Sequence, residues 1–278
     1  MRLLHRVVFG LASVTASASV CSPVSTAALK PFKPWVVDYA EAQCIATRDY
    51  GSLDRPITLG IRPAPNAETY ELLVARAGPT PAYAQELEGS VDFGRGPLKA
   101  WVLRFRPGKS NLDVYQFRIG AAEMAQARPA ETVALRTKGG ADFQFEVSSM
   151  SQLLDGLNAC VANLEQYWNM GGEKDGRIAV PAKGDVRGLF SSDDYPSEAV
   201  SRGQQGKGQY LLLVDEKGSV AGCYVVTPTG VPALDSMACA VFQQRAKFTP
   251  ARDRSGKSVR STAVTPPINW RLDSGMER

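Results

Sequence analysis

Between residues 35 and 147, short runs rich in Val, Ile, Leu, Phe, Tyr and Thr recur at close intervals, separated by clusters of Gly, Pro, Asn and Ser. Runs of this kind, bounded by turn chemistry, predict strands. Eight are read at 35–39, 43–48, 57–62, 69–75, 100–106, 114–119, 132–137 and 142–147. Arg62-Pro63-Ala64-Pro65-Asn66 and Arg106-Pro107-Gly108-Lys109-Ser110 supply two of the intervening turns. So many short strands pack as a sandwich or a partly open barrel. The period then changes. Leu153, Leu154, Leu157, Cys160, Val161, Leu164 and Trp168 form a stripe of helical spacing within 150–170. Ser149 and Gln152 stand as a capping box and Gly171-Gly172 as the stop. A helix with one apolar stripe closes the sheet, and that stripe is read as core rather than a cofactor groove.

After a connector at 171–194, which spans at most about 75 Å when fully stretched, the pattern becomes α+β. Pro196 suits the first turn of a short helix that Gly203 ends. Residues 209–214 and 219–227 read as strands joined by Glu216-Lys217-Gly218, a hairpin. Leu234, Met237, Ala238, Val241 and Phe242 share one helical face, so that face must be buried. Extended chain at 245–251, a charged turn at 252–257 and a last strand candidate at 259–272 complete the segment.

The expected organisation is therefore a leader at 1–28, a β-rich domain at 29–170, the connector at 171–194, an α+β domain at 195–272 and a tail at 273–278. The fold class is two domains: a mainly β N-terminal domain closed by one helix, and a C-terminal α+β domain.

Several pieces of the last domain stand in a specific order: Tyr195-Pro196-x-x-Ala199, Gly206-x-Gly208, Val214-Asp215-x-x-Gly218-x-Val220, Thr227-Pro228-Thr229-Gly230, Leu234-Asp235, Phe248-x-Pro250-Ala251 and Gly256-x-x-Val259. Together they resemble the C-terminal domain of TonB-family periplasmic energy transducers. The resemblance covers 195–272 only. It implies a protein-binding module that takes a short extended peptide of an outer-membrane receptor onto a sheet edge, where main-chain hydrogen bonds supply affinity. The matching strand carries Val259, Ser261, Ala263, Val264 and Thr265 as its partner-binding residues. Pro266 and Pro267 depart from the pattern. They remove two N–H donors and put pairing beyond Thr265 in doubt. A proline-protected edge and a docking edge are both compatible with this.

Residues 1–28 predict export. Met1-Arg2-Leu3-Leu4-His5-Arg6 is a basic start, a moderately apolar stretch follows, and Ser25-Thr26-Ala27-Ala28 offers small residues for cleavage before Leu29. The competing reading is a retained inner-membrane anchor facing the periplasm, because no charge occurs from Val7 to Leu29. Cys21 lies in this leader, but Val20 before it is too large for the usual lipobox. The remaining cysteines, Cys44, Cys160, Cys223 and Cys239, allow three connectivities. Cys223 and Cys239 pair if the helix packs across the second hairpin strand, and Cys44 and Cys160 then pair with each other; free thiols are the alternative. An oxidising compartment favours disulfides.

Charge adds exclusions. Of 32 basic and 28 acidic residues, Arg2 and Arg6 leave with the leader, so 30 − 28 gives +2. A balance this close does not argue for nucleic acid. His5, the single histidine, also leaves, and with it histidine-based catalysis and metal chemistry. No metal or cofactor is expected. Gly203-Gln204-Gln205-Gly206-Lys207-Gly208 is too short for a phosphate loop and lacks Ser or Thr after Lys207. Asp193-Asp194 and the basic run Arg245, Lys247, Arg252, Arg254, Lys257 and Arg260 read as solvated charge.

These readings lead to a non-enzymatic envelope protein whose partner is protein. One expectation is a part in TonB-dependent outer-membrane transport, as a transducer variant or accessory, with an ExbB–ExbD-type motor engaged if the N-terminus is an anchor. The alternative is an envelope adaptor in which the TonB-like module is a scaffold and the N-terminal β domain binds the partner.

Overall fold

The computed structural model describes residues 27–65, 68–81, 84–107 and 110–272. The leader with Cys21 and His5, and the tail at 273–278, lie outside the described residues. The N-terminal part is one antiparallel sheet of nine strands: β1 (Val36–Tyr39), β2 (Cys44–Ser52), β3 (Arg55–Pro63), β4 (Thr69–Ala77), β5 (Gln85–Asp92), β6 (Leu98–Phe105), β7 (Leu112–Gly120), β8 (Thr132–Thr137) and β9 (Asp142–Glu146). Their spatial order is β1-β2-β3-β4-β7-β6-β5-β8-β9. Eight of these strands follow the apolar runs of the sequence. β5 was not foreseen, because Glu86, Glu88, Gly89 and Ser90 dilute its alternation; only Leu87 and Val91 give it apolar weight.

The sheet curls until its ends nearly meet. A strap at 29–32 bridges them: the Leu29 N–H donates to Gln144 O at 2.7 Å, Glu146 N–H to Leu29 O at 2.9 Å, and Phe32 N–H to Asp49 O at 3.1 Å. The Tyr50 hydroxyl, on β2, also reaches Glu146 O at 3.1 Å. Inside the curl lie Tyr50, Leu59, Ile61, Leu72, Phe117, Leu135 and Phe145, all fully buried.

A short helix α1 (Ala121–Met124) follows β7, and α2 (Met150–Tyr167) plugs the open side. The whole stripe from Leu153 to Trp168 is buried in this core. Two details at the ends of α2 differ from the sequence reading. Ser149 has φ of 60° and makes no side-chain cap, so the capping box with Gln152 does not form. Its left-handed backbone turns the hydroxyl away while its carbonyl accepts from Leu153 N–H at 3.0 Å. The helix also stops before the glycines, at Trp168 and Asn169, because Trp168 is drawn into the core and Asn169 adopts φ of 49°.

Residues 171–194 lie along the C-terminal part, with α3 (Gly172–Asp175), bridges from Val180 to Arg252 and from Lys183 to Thr249, and Val186 buried in the second core. The C-terminal part then builds α4 (Ser197–Ser201), β10 (Gly206–Val214), β11 (Val220–Thr227), α5 (Pro232–Arg245), β12 (Ala251–Arg252), β13 (Ser258–Val259), β14 (Ser261–Val264) and β15 (Ile268–Trp270). Among the described residues, no helix is long and apolar enough to cross a membrane.

Candidate partner-binding edge of the C-terminal module

β10 is the spine of this module. β11 pairs with one flank and β14 and β15 with the other, all antiparallel. Its side chains alternate between two faces, as a strand's must. Tyr210, Leu212 and Val214 face α5 with Leu234, Ala238 and Phe242. Leu213, on the opposite face, joins the N-terminal core instead. The hairpin turn needs Gly218 twice over: φ is +80°, and an added Cβ would stand 1.8 Å from Phe248 O. The Asp215 carboxylate closes the turn by accepting from the N–H groups of Lys217 and Ser219 at 2.9 and 2.7 Å. Gly208 is held for space, since a Cβ there would meet the Tyr210 hydroxyl at 2.7 Å.

Two fixtures hold α5 against this sheet. The Cys223–Cys239 disulfide joins β11 to α5 across a Cα–Cα distance of 5.4 Å. Buried Asp235 accepts from the Tyr210 hydroxyl at 2.9 Å and from Thr229 N–H at 3.1 Å. Loss of water pushes its pKa up, and those two donors offset part of that rise. At the far end of α5, Arg245 grips Asp194 with two bonds of 2.7 Å. Those bonds, with Ser191 N–H, pull the Asp194 carboxyl down to about 2. The second disulfide, Cys44–Cys160, joins β2 to α2 with a Cα–Cα distance of 6.1 Å.

The predicted partner strand is divided by the fold. Val259 falls in β13 and pairs with Ala251, away from β10. Ser261 to Val264 form β14 in register with β10, from Val214↔Ser261 to Leu211↔Val264. Thr265 N–H donates to Tyr210 O at 2.9 Å, and the Thr265 hydroxyl accepts from Tyr210 N–H at 3.1 Å. Alternation along the strand therefore turns the main-chain groups of Ser261, Ala263 and Thr265 toward β10 and those of Thr262 and Val264 outward. Thr262 was absent from the sequence-derived set. The signal that finds it is the parity of the strand, which needs a fixed pairing partner. Ser261 and Thr265 are buried, whereas the Val264 side chain is 59% exposed.

The two prolines do not end pairing. Between Leu211↔Val264 and Gly208↔Ile268, two residues of β10 oppose three of the partner, so the chain bulges at Pro266 and Pro267 and returns as β15. Pairing beyond Thr265 thus resumes at Ile268. Among the described residues no strand occupies the outer side of β14.

Residues 191–272 match the family model for the Gram-negative bacterial TonB protein C-terminal. The closing segment is a TonB C-terminal domain. The match covers less than a third of the chain, and no curated protein matches the chain. The TonB C-terminal domain is a protein-interaction module of the Gram-negative envelope, so the coarse reading of the sequence stands: the partner of this segment is protein.

The domain is also bound to its neighbour in the same chain. The Tyr224 hydroxyl donates to Ala42 O, and Asn169 Nδ2 to Arg260 O at 2.8 Å. Arg260 lies 4.0 Å over the Tyr167 ring. Arg62 and Arg118 both grip Glu71 on the barrel wall facing Tyr224, and Gln116 adds a bond of 2.6 Å. The flanking arginines hold the Glu71 carboxyl below its usual range despite burial. The basic run is partly tied down. Arg245, Lys247, Arg252 and Arg260 are all bonded within the fold. Gly203 to Gly208 runs from the end of α4 into β10, and among the described residues no group of three or more His, Cys, Asp or Glu could hold a metal.

Proposed function

We propose that this protein acts in TonB-dependent outer-membrane transport, as an energy-transducer variant or accessory, and that its TonB C-terminal domain adds an extended receptor peptide to the outer edge of β14. The observation that carries this reading is the open row of main-chain groups at Thr262 and Val264 in a domain of that family. An edge strand with unpaired donors and acceptors is a template for another chain. The protein works by binding and not by catalysis. It is exported to the periplasm with residues 1–28 removed, and disulfides suited to an oxidising compartment accord with this.

A second reading is an envelope adaptor in which the TonB C-terminal domain is a scaffold and the N-terminal β domain holds the partner. It is favoured by the bonds of Tyr224, Asn169 and Arg260 across the two parts, which tie the module to a neighbour rather than leaving it at the end of a free rod. Intact-mass measurement of the protein from the envelope fraction separates a self-anchored transducer from an accessory or adaptor. A chain beginning at Met1 retains the anchor that force transmission from an ExbB–ExbD-type motor requires, whereas a chain beginning at Leu29 is an accessory or adaptor.

A further inference from the structure

The outer edge of β14 is short. It presents Thr262 and Val264, two donors and two acceptors, before Pro266 and Pro267 interrupt the row. A net main-chain hydrogen bond changes affinity by only about two- to tenfold, and association carries its own entropic cost. Backbone pairing over this length does not hold a guest peptide without help from side chains.

Directly after the edge in sequence, the chain from Pro266 to Leu272 forms one wall of a groove of about 690 Å³. Phe190, Tyr195, Val200, Pro266, Pro267 and Trp270 wall it. Phe190 and Tyr195 stand edge-on to Trp270 with ring centroids 5.4 and 5.3 Å away, so these walls brace one another. Val200 is 46% exposed. Arg271 is the one charged side chain lining the groove, and among the described residues it makes no ion pair or hydrogen bond. The neighbouring cations differ: Arg202 is paired with Glu198, and Arg245 with Asp194.

We propose that edge and groove are one composite site, in which the peptide strand added to β14 also places an apolar side chain in the aromatic groove and an adjacent carboxylate on Arg271. This rests on the reading of β14 as the docking edge and names the chemistry of its guest. The guest is an extended peptide with a short β-forming stretch next to an apolar–acidic pair. The groove lies at the C-terminal end of β14, so the pair precedes the paired stretch in an antiparallel guest and follows it in a parallel one.

The test uses the purified full chain and fluorescently labelled synthetic peptides with blocked ends. Each carries Thr-Val-Thr-Val with Leu-Asp either before or after it, and matched peptides carry Leu-Lys. In one of the two orders the Asp peptide binds about fivefold or more tightly than its Lys partner, the scale of one surface charge contact. Arg271→Glu reverses that preference, Val200→Glu weakens both peptides, and Thr262→Pro abolishes both. Near-UV circular dichroism identifies any variant that has lost its fold, and amide shifts of Thr262 and Val264 in the unaltered chain report edge pairing independently.

Equal binding of the Asp and Lys peptides, or a preference indifferent to Arg271→Glu, overturns the groove assignment. If Thr262→Pro still abolishes binding in that case, the edge reading survives alone. Binding indifferent to Thr262→Pro, without amide shifts at Thr262 and Val264, overturns both. Self-association blocked by Val200→Glu would assign the groove to a second copy and overturn the peptide proposal. No binding of any of these peptides at millimolar concentration also overturns it.

Discussion

Asp194 shows how much of this fold is set by single residues whose role the sequence conceals. In sequence it is one of two adjacent acids in a stretch that reads as solvated. In the structure its side chain is 6% exposed and held by Arg245 and Ser191. The Ser191-x-x-Asp194 spacing of a capping box is a local mark that Asp193 lacks, but only the fold brings Arg245 beside it. Its native pKa of about 2 lies below the ordinary aspartate value. A depressed native pKa contributes stability that is fully present above the unfolded value and is lost as pH falls through the folded value. Urea midpoints of the unaltered protein should therefore decline between about pH 4 and pH 2 more steeply than those of Asp194→Asn. The variant should also be the less stable at pH 7. Parallel pH profiles would show that the pair contributes nothing to folding. The partner strand shows the same limit at residue scale. The sequence marked outward-facing Val264 together with Ser261, Ala263 and Thr265, which bond inward to β10, and passed over outward-facing Thr262.

At the scale of elements, legibility followed the strength of the apolar period. α2 and α5 each show a stripe, and both stripes are buried. Eight strands of the barrel were visible in the same way. Weakly apolar β5 was not, and one long terminal strand became β13, β14 and β15 because Arg260 is held by Tyr167 at the end of α2 and by Asn169 just after it, and two prolines force a bulge. The pairing of helices with strands is where the cysteines act. Cys44–Cys160 closes a separation of 116 residues and Cys223–Cys239 one of 16. In the chain-entropy account these constrain the unfolded chain by about 5 and about 3 kcal/mol respectively. Replacing the Cys44–Cys160 pair by Ala should lower the denaturant midpoint more than replacing Cys223–Cys239. The opposite order would mean that native-state packing around α5 outweighs loop length.

Across the whole molecule, the barrel depends on a strap that no periodicity announces. Residues 29–32 carry no recognisable strand pattern, and their value is positional: they join β9 to β2. A chain started at Leu29 keeps the strap and sets the reference melting temperature. A chain started at Lys33 should melt several degrees lower, since each lost net hydrogen bond costs about 1 kcal/mol. Equal melting temperatures would show that the sheet closes without the strap. The two-part plan was legible from the change of hydrophobic period, but the contact between the parts was not. Arg62 and Glu71 face each other across consecutive β3 and β4, but Tyr224 is far from both in sequence, and its arrival beside them is a product of the assembled fold.

The central claim is that the TonB C-terminal domain receives a guest strand on the outer side of β14. Amide hydrogen exchange of the full chain, with and without a receptor-derived extended peptide, addresses it directly. The account predicts that the Thr262 and Val264 amides, open in the free protein, become protected on binding, while Ala263, already bonded to β10, changes little. Protection appearing on β1 or β11 instead, with Thr262 and Val264 still exchanging freely in the bound state, would contradict it.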